Sequence, residues 1–306
     1  MLTRKRIGAA SSAVLILFAL TLVVIWPREP SYEGVKLSVW LADLDFPRVG
    51  DTMDIPVLPP NMTPDQIKAA EAVRKIGTDA LPFVLDMLNP DEPSLRRRFR
   101  ELMKKQSVVK MSALAPATEQ FRAVRACQAL GPLAEPAVPY LIEMLAEPDR
   151  KKRMDINRAL KGIGPNAIDR LVSALSHTNA QVRAEAAAVL GLNGQAASRA
   201  VPPLIRCLKS SDKNERSAAA RSLGRIATHP EVAVPELRHV LVSDEYSHAR
   251  MSAAYGLSGF GAKATDAVPD LLRALTNETD RSTRIWATNA LKKIDPQAAS
   301  LVGIKR

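Results

Sequence analysis

One short phrase returns five times along this chain: Ala, an aliphatic residue, Pro, any residue and another aliphatic residue. A sixth copy, at residues 167–171, has Asp169 in place of proline. We call the third position of each copy, which is proline or Asp169, its anchor. Past the first copy, the anchors follow one another at nearly equal steps. A nearly fixed period of about 30–34 residues is typical of stacked units, each of which contacts only its neighbours. The prolines are Pro82, Pro139, Pro202, Pro235 and Pro269.

Each period predicts two helices. Proline suits the first turn of a helix, and aliphatic residues two, three and six positions after most anchors make one apolar stripe. The segment before each anchor is rich in alanine, the best helix former. Several glycines lie where such helices would end, and we expect them to act as C-caps: Gly77, Gly131, Gly164, Gly191 and Gly224. We expect no β-sheet.

The Ala-rich helices share a polar signature at their start. An Asp or Asn lies just ahead of each, where its side chain can cap free N–H groups: Asp149, Asn179, Asp212, Asp244 and Asp280. An arginine follows, at a nearly constant offset in sequence from the preceding anchor. These arginines are Arg153, Arg183, Arg216, Arg250 and Arg284.

This combination resembles the HEAT repeat, and the short period is similar to the bacterial HEAT-like repeats of the phycobilin-lyase type. The resemblance covers about residues 64–300. It implies an all-α fold, an α-α superhelix (solenoid) of about six to seven helical pairs. In such folds the recurring arginines stack between repeats as ion pairs. The five arginines are therefore expected to form a structural ladder, with direct contact to a ligand as the alternative.

One repeat is enlarged, because the step from Pro82 to Pro139 is much longer than any later step between anchors. We assign the extra length to a basic insertion at residues 90–120. A second basic cluster opens the following repeat, and the whole chain carries a net charge of +11. Basic patches attract anionic partners, although such clusters are also common as solvated helix faces. The candidate partner-binding residues are Arg96, Arg97, Arg98, Arg100, Lys104, Lys105, Arg150, Lys151 and Lys152.

Residues 1–30 differ from the rest. Arg4, Lys5 and Arg6 precede twenty residues, 7–26, without a formal charge. Twenty apolar residues in a helix span about 30 Å, the thickness of the hydrocarbon core of a bilayer. We predict a cytoplasmic basic stub and an uncleaved signal anchor in the cytoplasmic (inner) membrane, since bulky residues end the segment where a signal peptidase needs small ones. The basic flank then stays in the cytoplasm, and residues 27–306 lie in the periplasm or outside the cell. The alternative is secretion after cleavage.

Residues 31–63 connect this segment to the array. Leu37, Trp40, Leu41 and Leu44 predict a short amphipathic helix that caps the first repeat, because the end of a solenoid must cover its apolar face. Five prolines between residues 47 and 64 then predict an extended linker.

No catalytic, metal or cofactor site is evident. None of the four histidines is followed by Glu, so the paired His-Glu iron motifs of the HEAT-like deoxyhypusine hydroxylases are absent. The chain has no GxSxG, P-loop or HExxH motif. Cys127 and Cys207 are expected to be buried hydrophobic residues two repeats apart, which is too far for a disulfide.

We therefore predict a membrane-anchored, non-enzymatic scaffold that binds a protein or peptide outside the cytoplasm. Electrostatic binding of an anionic lipid or envelope polymer is the first alternative. An enzyme of the HEAT-like lyase or DNA-glycosylase type is disfavoured, because nothing indicates a bilin site and export keeps the array away from chromosomal DNA. No nucleic-acid partner is expected.

Overall fold

The computed structural model describes residues 29–44, 62–88 and 116–301. The predicted signal anchor, most of the Pro-rich linker and most of the basic insertion lie outside these residues. Residues 116–120, which we assigned to the insertion, form the beginning of a regular helix. Within the described ranges, no helix combines the length and the apolar character needed to cross a membrane.

The described residues form two short strands and fifteen α-helices in chain order. The strands are β1 (Ser31–Tyr32) and β2 (Val35–Lys36), and the helices are α1 (Leu37–Asp43), α2 (Pro64–Ile76), α3 (Leu81–Leu88), α4 (Pro116–Leu130), α5 (Val138–Glu143), α6 (Arg150–Ile163), α7 (Ile168–Ala174), α8 (Ala180–Leu192), α9 (Val201–Cys207), α10 (Lys213–Ile226), α11 (Pro230–Ser243), α12 (Ser247–Phe260), α13 (Val268–Asn277), α14 (Arg281–Ile294) and α15 (Pro296–Leu301). Short 3₁₀ turns join most even helices to the odd helix that follows.

From α2 onward the two predicted helix types alternate. Even-numbered helices are the Ala-rich ones, and α6, α8, α10, α12 and α14 each carry a ladder arginine. Odd-numbered helices from α3 to α13 are the anchor-led ones. Successive pairs contact their neighbours in sequence order. The predicted repeat of helical pairs is therefore present in the described part of the chain.

The core runs along the whole stack as one continuous apolar cluster, from α1 to α15. The aliphatic residue two positions after each anchor is fully buried in all six copies. These residues are Val84, Leu141, Leu171, Leu204, Leu237 and Leu271. Burial of such a side chain contributes about 1.5–3 kcal/mol, so this stripe supplies a regular share of the stabilisation of every repeat.

The glycine prediction is right for one group and wrong for another. Gly77, Gly131 and Gly164 end helices with φ of 63°, 58° and 72°, a conformation that favours glycine. Gly191 and Gly224 instead lie inside α8 and α10. They allow close helix packing, because a Cβ on Gly191 would lie 2.5 Å from Ser222 Oγ and one on Gly224 would overlap the backbone of Gly256.

This packing decides which side of the stack is concave. From α8 to α14 the even helices pack directly on one another, and between α10 and α12 backbone lies against backbone at Gly224, Gly256 and Gly259. The odd helices touch one another far less. A stack curves toward its more closely packed row, since a small rotation between repeats accumulates along the array. The even helices therefore line the inner, concave face.

The first repeat is covered by β1, β2 and α1. Leu37, Trp40, Leu41 and Leu44 are buried there, and Arg125 Nη1 on α4 donates to the Leu44 carbonyl at 2.8 Å. This agrees with a capping helix. The expectation of no β-sheet is wrong for this segment, because β1 and β2 pair antiparallel through a tight turn at Glu33 and Gly34. Both turn residues have positive φ, as two-residue hairpin turns require.

Candidate partner-binding surface

The five recurring arginines occupy the same place in five successive repeats. In each, Nη1 donates to the two backbone carbonyls five and six residues earlier, at 2.6–3.2 Å. Each arginine thereby fixes the loop that precedes its own helix. The residues are Arg153, Arg183, Arg216, Arg250 and Arg284.

Four of these arginines also bind a carboxylate further along the chain. Their Nε atoms lie 3.0, 2.8, 2.7 and 2.6 Å from the acceptor oxygens. Within the described residues, no carboxylate lies in ion-pair range of Arg284. The arrangement is that of a structural ladder between repeats. The pairs are Arg153–Glu185, Arg183–Glu215, Arg216–Asp244 and Arg250–Glu278.

The ladder changes the pKa of its carboxylates. The hydrogen bonds from Arg250 lower the pKa of Glu278 below its ordinary value, although burial opposes this effect. For Asp244, burial alone would raise the pKa, but hydrogen bonds from Arg216 and the Tyr246 N–H bring the net pKa below its usual value. Both carboxylates are therefore ionised near neutral pH and remain paired.

The predicted basic clusters are only partly placed. Arg96, Arg97, Arg98, Arg100, Lys104 and Lys105 lie outside the described residues, as does the side chain of Lys151. Arg150 is exposed at the start of α6. Lys152 Nζ lies 5.0 Å from the centre of the Phe121 ring on α4 and 4.0 Å from a Glu147 carboxylate oxygen. Lys152 thus links α4 and α6 as well as contributing positive charge.

A different surface, which the sequence analysis missed, lies on the concave face. We call it the inner patch and define it as Arg221, Arg225, His248, Tyr255 and Trp286, all partly exposed or exposed on α10, α12 and α14. Arg225 Nε lies 3.4 Å from Tyr255 Oη, and its guanidinium carbon lies 6.0 Å from the centre of the Tyr255 ring. The rings of Tyr255 and Trp286 meet edge to face, with centres 4.9 Å apart. Such contacts hold the two rings in a defined orientation.

The period could not reveal this patch. Arg225, Tyr255 and Trp286 lie nine, five and two residues after their ladder arginines. They meet only because neighbouring inner helices are packed so closely. The one available signal was composition: aromatic residues make up only 4% of the chain, yet one lies near the middle of α12 and another on α14.

The inner patch has a basic and aromatic border. Lys213 Nζ lies 4.8 Å from the centre of the Tyr246 ring, which lies 5.8 Å from that of His248. Burial, with a smaller effect of the Arg221 charge, lowers the pKa of His248 below its ordinary value. His248 is therefore neutral near pH 7, and the positive charge of the patch comes from its arginines.

The described residues contain no group of three or more His, Cys, Asp or Glu side chains placed to hold a metal ion. Cys127 and Cys207 are buried free thiols, as the sequence predicted, and burial raises the pKa of each to about 12.

An open groove of about 430 Å³ lies beside Arg216 and is bordered by His239. Its Lys209 and Glu236 side chains pair with each other at 3.1 Å. That the chain is not an enzyme stays a prediction.

Comparison with known proteins supports the repeat type. Residues 168–258, from α7 into α12, match a family model described as HEAT repeats. This part of the chain is therefore similar to HEAT repeats. The match includes the first two helices of the inner patch, α10 and α12, and ends before α14. No curated protein matches the chain significantly.

Several solved structures align with parts of the chain at low sequence identity. The CpcE–CpcF complex of phycocyanin lyase from Nostoc sp. is 22% identical, with a TM-score of 0.45, over 51% of this chain and 98% of that one. A karyopherin bound to the extreme C-terminus of a protein phosphatase is 15% identical, with a TM-score of 0.47, over 82% of this chain and 31% of that one. Human deoxyhypusine hydroxylase is 16% identical, with a TM-score of 0.36, over 85% of this chain and 98% of that one.

Proposed function

We propose that the HEAT-repeat array is a non-enzymatic scaffold that binds a protein or peptide partner on its concave face. The observation that carries this proposal is the contact chain from Arg225 to Tyr255 to Trp286, which crosses three successive inner helices. Arginine, tyrosine and tryptophan are the residue types that most often dominate binding energy at protein interfaces. Partly exposed and already oriented, they form a surface ready to receive a partner.

The repeat contacts make this surface rigid. The ladder ties each repeat to the next, and the backbone contact between Gly224 and Gly256 holds α10 against α12. A preorganised surface loses less conformational entropy on binding than a flexible one. The scaffold therefore needs no rearrangement to present the inner patch.

The test is cross-linking of the full chain in its own cells, followed by identification of the captured proteins. The test variant is the double substitution Tyr255→Ala and Trp286→Ala. The matched control is Val242→Ala, which removes an exposed apolar side chain (51% accessible) from the outer helix α11. We expect the double variant to lose partners that wild type and control both retain, while far-UV circular dichroism stays the same. Identical partners in all three proteins would refute binding through the inner patch.

We further propose that residues 7–26 tether the array to the cytoplasmic membrane, with the repeats outside the cytoplasm. The uncharged length of twenty residues and the preceding Arg4, Lys5 and Arg6 support this topology. A fusion of an alkaline phosphatase reporter after residue 306 should be active, and it should sediment with membranes. Deletion of residues 1–28 should abolish both properties. An inactive reporter, or a wild-type fusion found in the soluble cytoplasmic fraction, would contradict the proposal.

Binding of an anionic lipid or envelope polymer is the second candidate, because the chain carries a net charge of +11 and Arg150 is exposed on α6. Basic side chains near an anionic bilayer contribute about 1 kcal/mol each. Sedimentation of the detergent-solubilised chain with anionic and neutral vesicles would separate the two candidates. Equal sedimentation with both vesicle types would remove the electrostatic lipid proposal.

A further inference from the structure

The arginine ladder is incomplete at its last described step. Four ladder arginines each bind a carboxylate further along the chain, with Nε 2.6–3.0 Å from the acceptor oxygen. Arg284 makes the same two backbone contacts as the others, to the Glu278 and Thr279 carbonyls at 2.7 and 3.0 Å. Among the described residues, none supplies a carboxylate to its Nε. The guanidinium of Arg284 is therefore held in the ladder geometry without the acceptor that its four equivalents have.

All four acceptors lie near the N-terminal end of the next Ala-rich helix. Glu185 and Glu215 lie in the first two turns of α8 and α10. Asp244 and Glu278 each lie three residues ahead of α12 and α14. A carboxylate at this end of a helix is also favoured by the helix dipole. The ladder thus shows which group completes each step: an acidic residue at the beginning of a helix that packs on the preceding one.

The residues one, four and eight positions after a ladder arginine form the side of each inner helix that meets the next repeat. Residues with this spacing share one face of a helix. At the eighth position, a Cβ on Gly224 of α10 would overlap the backbone of Gly256 on α12. At the fourth, Asn157 on α6 donates to Glu185 Oε2 on α8 at 2.7 Å. We call these three positions the onward face.

The onward face of α14 is more exposed than those of the earlier inner helices. At its first position Ile285 is 47% exposed, whereas the equivalent residues of α6, α8 and α10 are 4–6% exposed and that of α12 is partly exposed. At its second position Thr288 is partly exposed, whereas its equivalents on α6 to α12 are at most 3% exposed. The equivalents of Ile285 are Met154, Ala184, Ser217 and Met251, and those of Thr288 are Asn157, Ala187, Ala220 and Ala254.

Helix α15 covers only one end of this face. It packs on α14 and begins at the C-terminal end of that helix. Its six residues span about 9 Å, whereas the fourteen residues of α14 span about 21 Å. The N-terminal half of the onward face, which contains Ile285 and Thr288 next to Arg284, is therefore left open.

From these observations we propose a second binding surface, the open end, formed by Arg284, Ile285 and Thr288. Its occupant is an α-helix of another protein that carries an Asp or Glu in its first turn or just before it. The carboxylate binds Arg284 Nε, and small or apolar side chains on the same face of the helix cover Ile285. The partner helix packs on α14 as α14 packs on α12. This surface uses other residues than the inner patch.

The combination of groups favours a helix of another protein over the alternatives. A small anion could bind Arg284 but would leave Ile285 exposed to water. Residues 302–306 contain no Asp or Glu, so they supply no acidic side chain. In a second copy of the chain the first inner helix, α2, is already packed against α1, whose Trp40 and Leu41 are buried. A helix of a different protein can satisfy the charge and the apolar contact together.

The test uses the full chain in detergent micelles and fluorescence anisotropy. The probe is a labelled, acetylated twenty-residue Ala-rich peptide with Glu at its third position and Ser at its tenth, the places of Glu215 and Ser222 on α10. A peptide of this length and composition forms a helix. Two matched peptides replace the Glu by Gln or by Arg. The test variants are Arg284→Glu and Ile285→Ser, and the control is Arg206→Glu, the same charge change on the exposed side of outer helix α9.

We expect the Glu peptide to bind wild type and the Arg206→Glu control equally well. The Gln peptide should bind wild type about fivefold more weakly, because the charged hydrogen bond is lost. Arg284→Glu should weaken binding of the Glu peptide about tenfold and should prefer the Arg peptide, since opposite charges then face each other again. Ile285→Ser should weaken binding of the Glu peptide about fivefold, because an apolar contact is lost.

Several results would overturn the proposal. They are no binding of the Glu peptide, equal binding of the Glu and Gln peptides to wild type, an unchanged affinity of Ile285→Ser, or an equal loss in Arg206→Glu. Self-association of wild type that Arg284→Glu abolishes would also overturn it, because the occupant would then be a second copy. Far-UV circular dichroism checks that Arg284→Glu folds. If it does not, the Gln peptide and Ile285→Ser decide the question without it.

Failure of this proposal differs from failure of the scaffold function. Loss of cross-linked partners in the Tyr255→Ala and Trp286→Ala variant tests the inner patch, whereas the helical peptides test the open end. If the peptides do not bind but the cross-linked partners still depend on the two rings, the open end is wrong and the scaffold function stands.

Discussion

Substitution of Gly224 by alanine tests the close packing of the inner helices. Gly224 lies inside α10 and faces the α12 backbone. A Cβ at this position would overlap the Cα and carbonyl oxygen of Gly256 and lie 2.7 Å from its carbonyl carbon. Carbon atoms in ordinary contact are about 3.5–4.0 Å apart. Since these neighbours are backbone atoms that cannot rotate away, the two helices must separate by about 1 Å.

Two effects of opposite sign set the magnitude. Alanine is favoured over glycine inside a helix by about 1 kcal/mol. Overpacking of a well-packed interface costs about 1–3 kcal/mol and occasionally more. Because the overlap is with backbone, we take the upper part of that range, and the expected net loss is about 2 kcal/mol in the free energy of unfolding.

Urea denaturation of the full chain in detergent, followed by circular dichroism, measures this loss. The control is Ala218→Gly at a partly exposed position of the same helix, which should cost about 1 kcal/mol from propensity alone. With overpacking at Gly224, both variants should be less stable than wild type. Helix propensity alone would instead stabilise Gly224→Ala and destabilise Ala218→Gly. A Gly224→Ala protein at least as stable as wild type would therefore refute the close approach of α10 and α12.

Three further predictions concern the ladder and the buried thiols. Arg250→Ala leaves the carboxylate of Glu278, whose side chain is 9% exposed, without its ion-pair partner, and should lower the free energy of unfolding by about 2 kcal/mol. Arg284→Ala removes only hydrogen bonds to backbone carbonyls and should lower it by about 1 kcal/mol. Equal losses in urea denaturation would contradict the pairing. Because Arg250 lowers the pKa of Glu278 in the folded chain, the unfolded chain binds the proton more tightly. The stabilisation from the ionised Glu278 is therefore complete above pH 4.5, the ordinary pKa of Glu, and is lost as the pH falls through the lower folded-state pKa. The free energies of unfolding of wild type and Glu278→Gln should become equal below that folded-state pKa. A constant difference across this pH range would argue against the linkage. With a pKa of about 12, the Cys127 and Cys207 thiols should react with a disulfide reagent at pH 8 only after urea is added, and rapid labelling of the native chain would show that they are not buried.

The repeat, its helices and its ladder positions could be predicted from the sequence because they rest on local periodicity. Proline at the first turn of odd helices, the aliphatic residue two positions later and the arginine at its nearly constant offset are all set by spacing along one chain. The buried stripe from Val84 to Leu271 and the carbonyl contacts of Arg284 show that this spacing translates directly into position. The acceptor carboxylates were less regular, since Glu185 and Glu215 lie within helices while Asp244 and Glu278 follow them.

Only the tertiary structure decided which side is concave and what lies on it. Gly191 and Gly224 lie at sequence positions typical of helix ends, yet in the structure they are contact points between helices. Nothing in the local sequence distinguishes these two roles. Arg225, Tyr255 and Trp286 have no common place in the repeat. They meet because α10, α12 and α14 pack on one another, with glycine contacts between α10 and α12. A period along one chain specifies which residues form a helix and which face is buried, whereas a binding surface depends on distances between helices, which no single repeat contains.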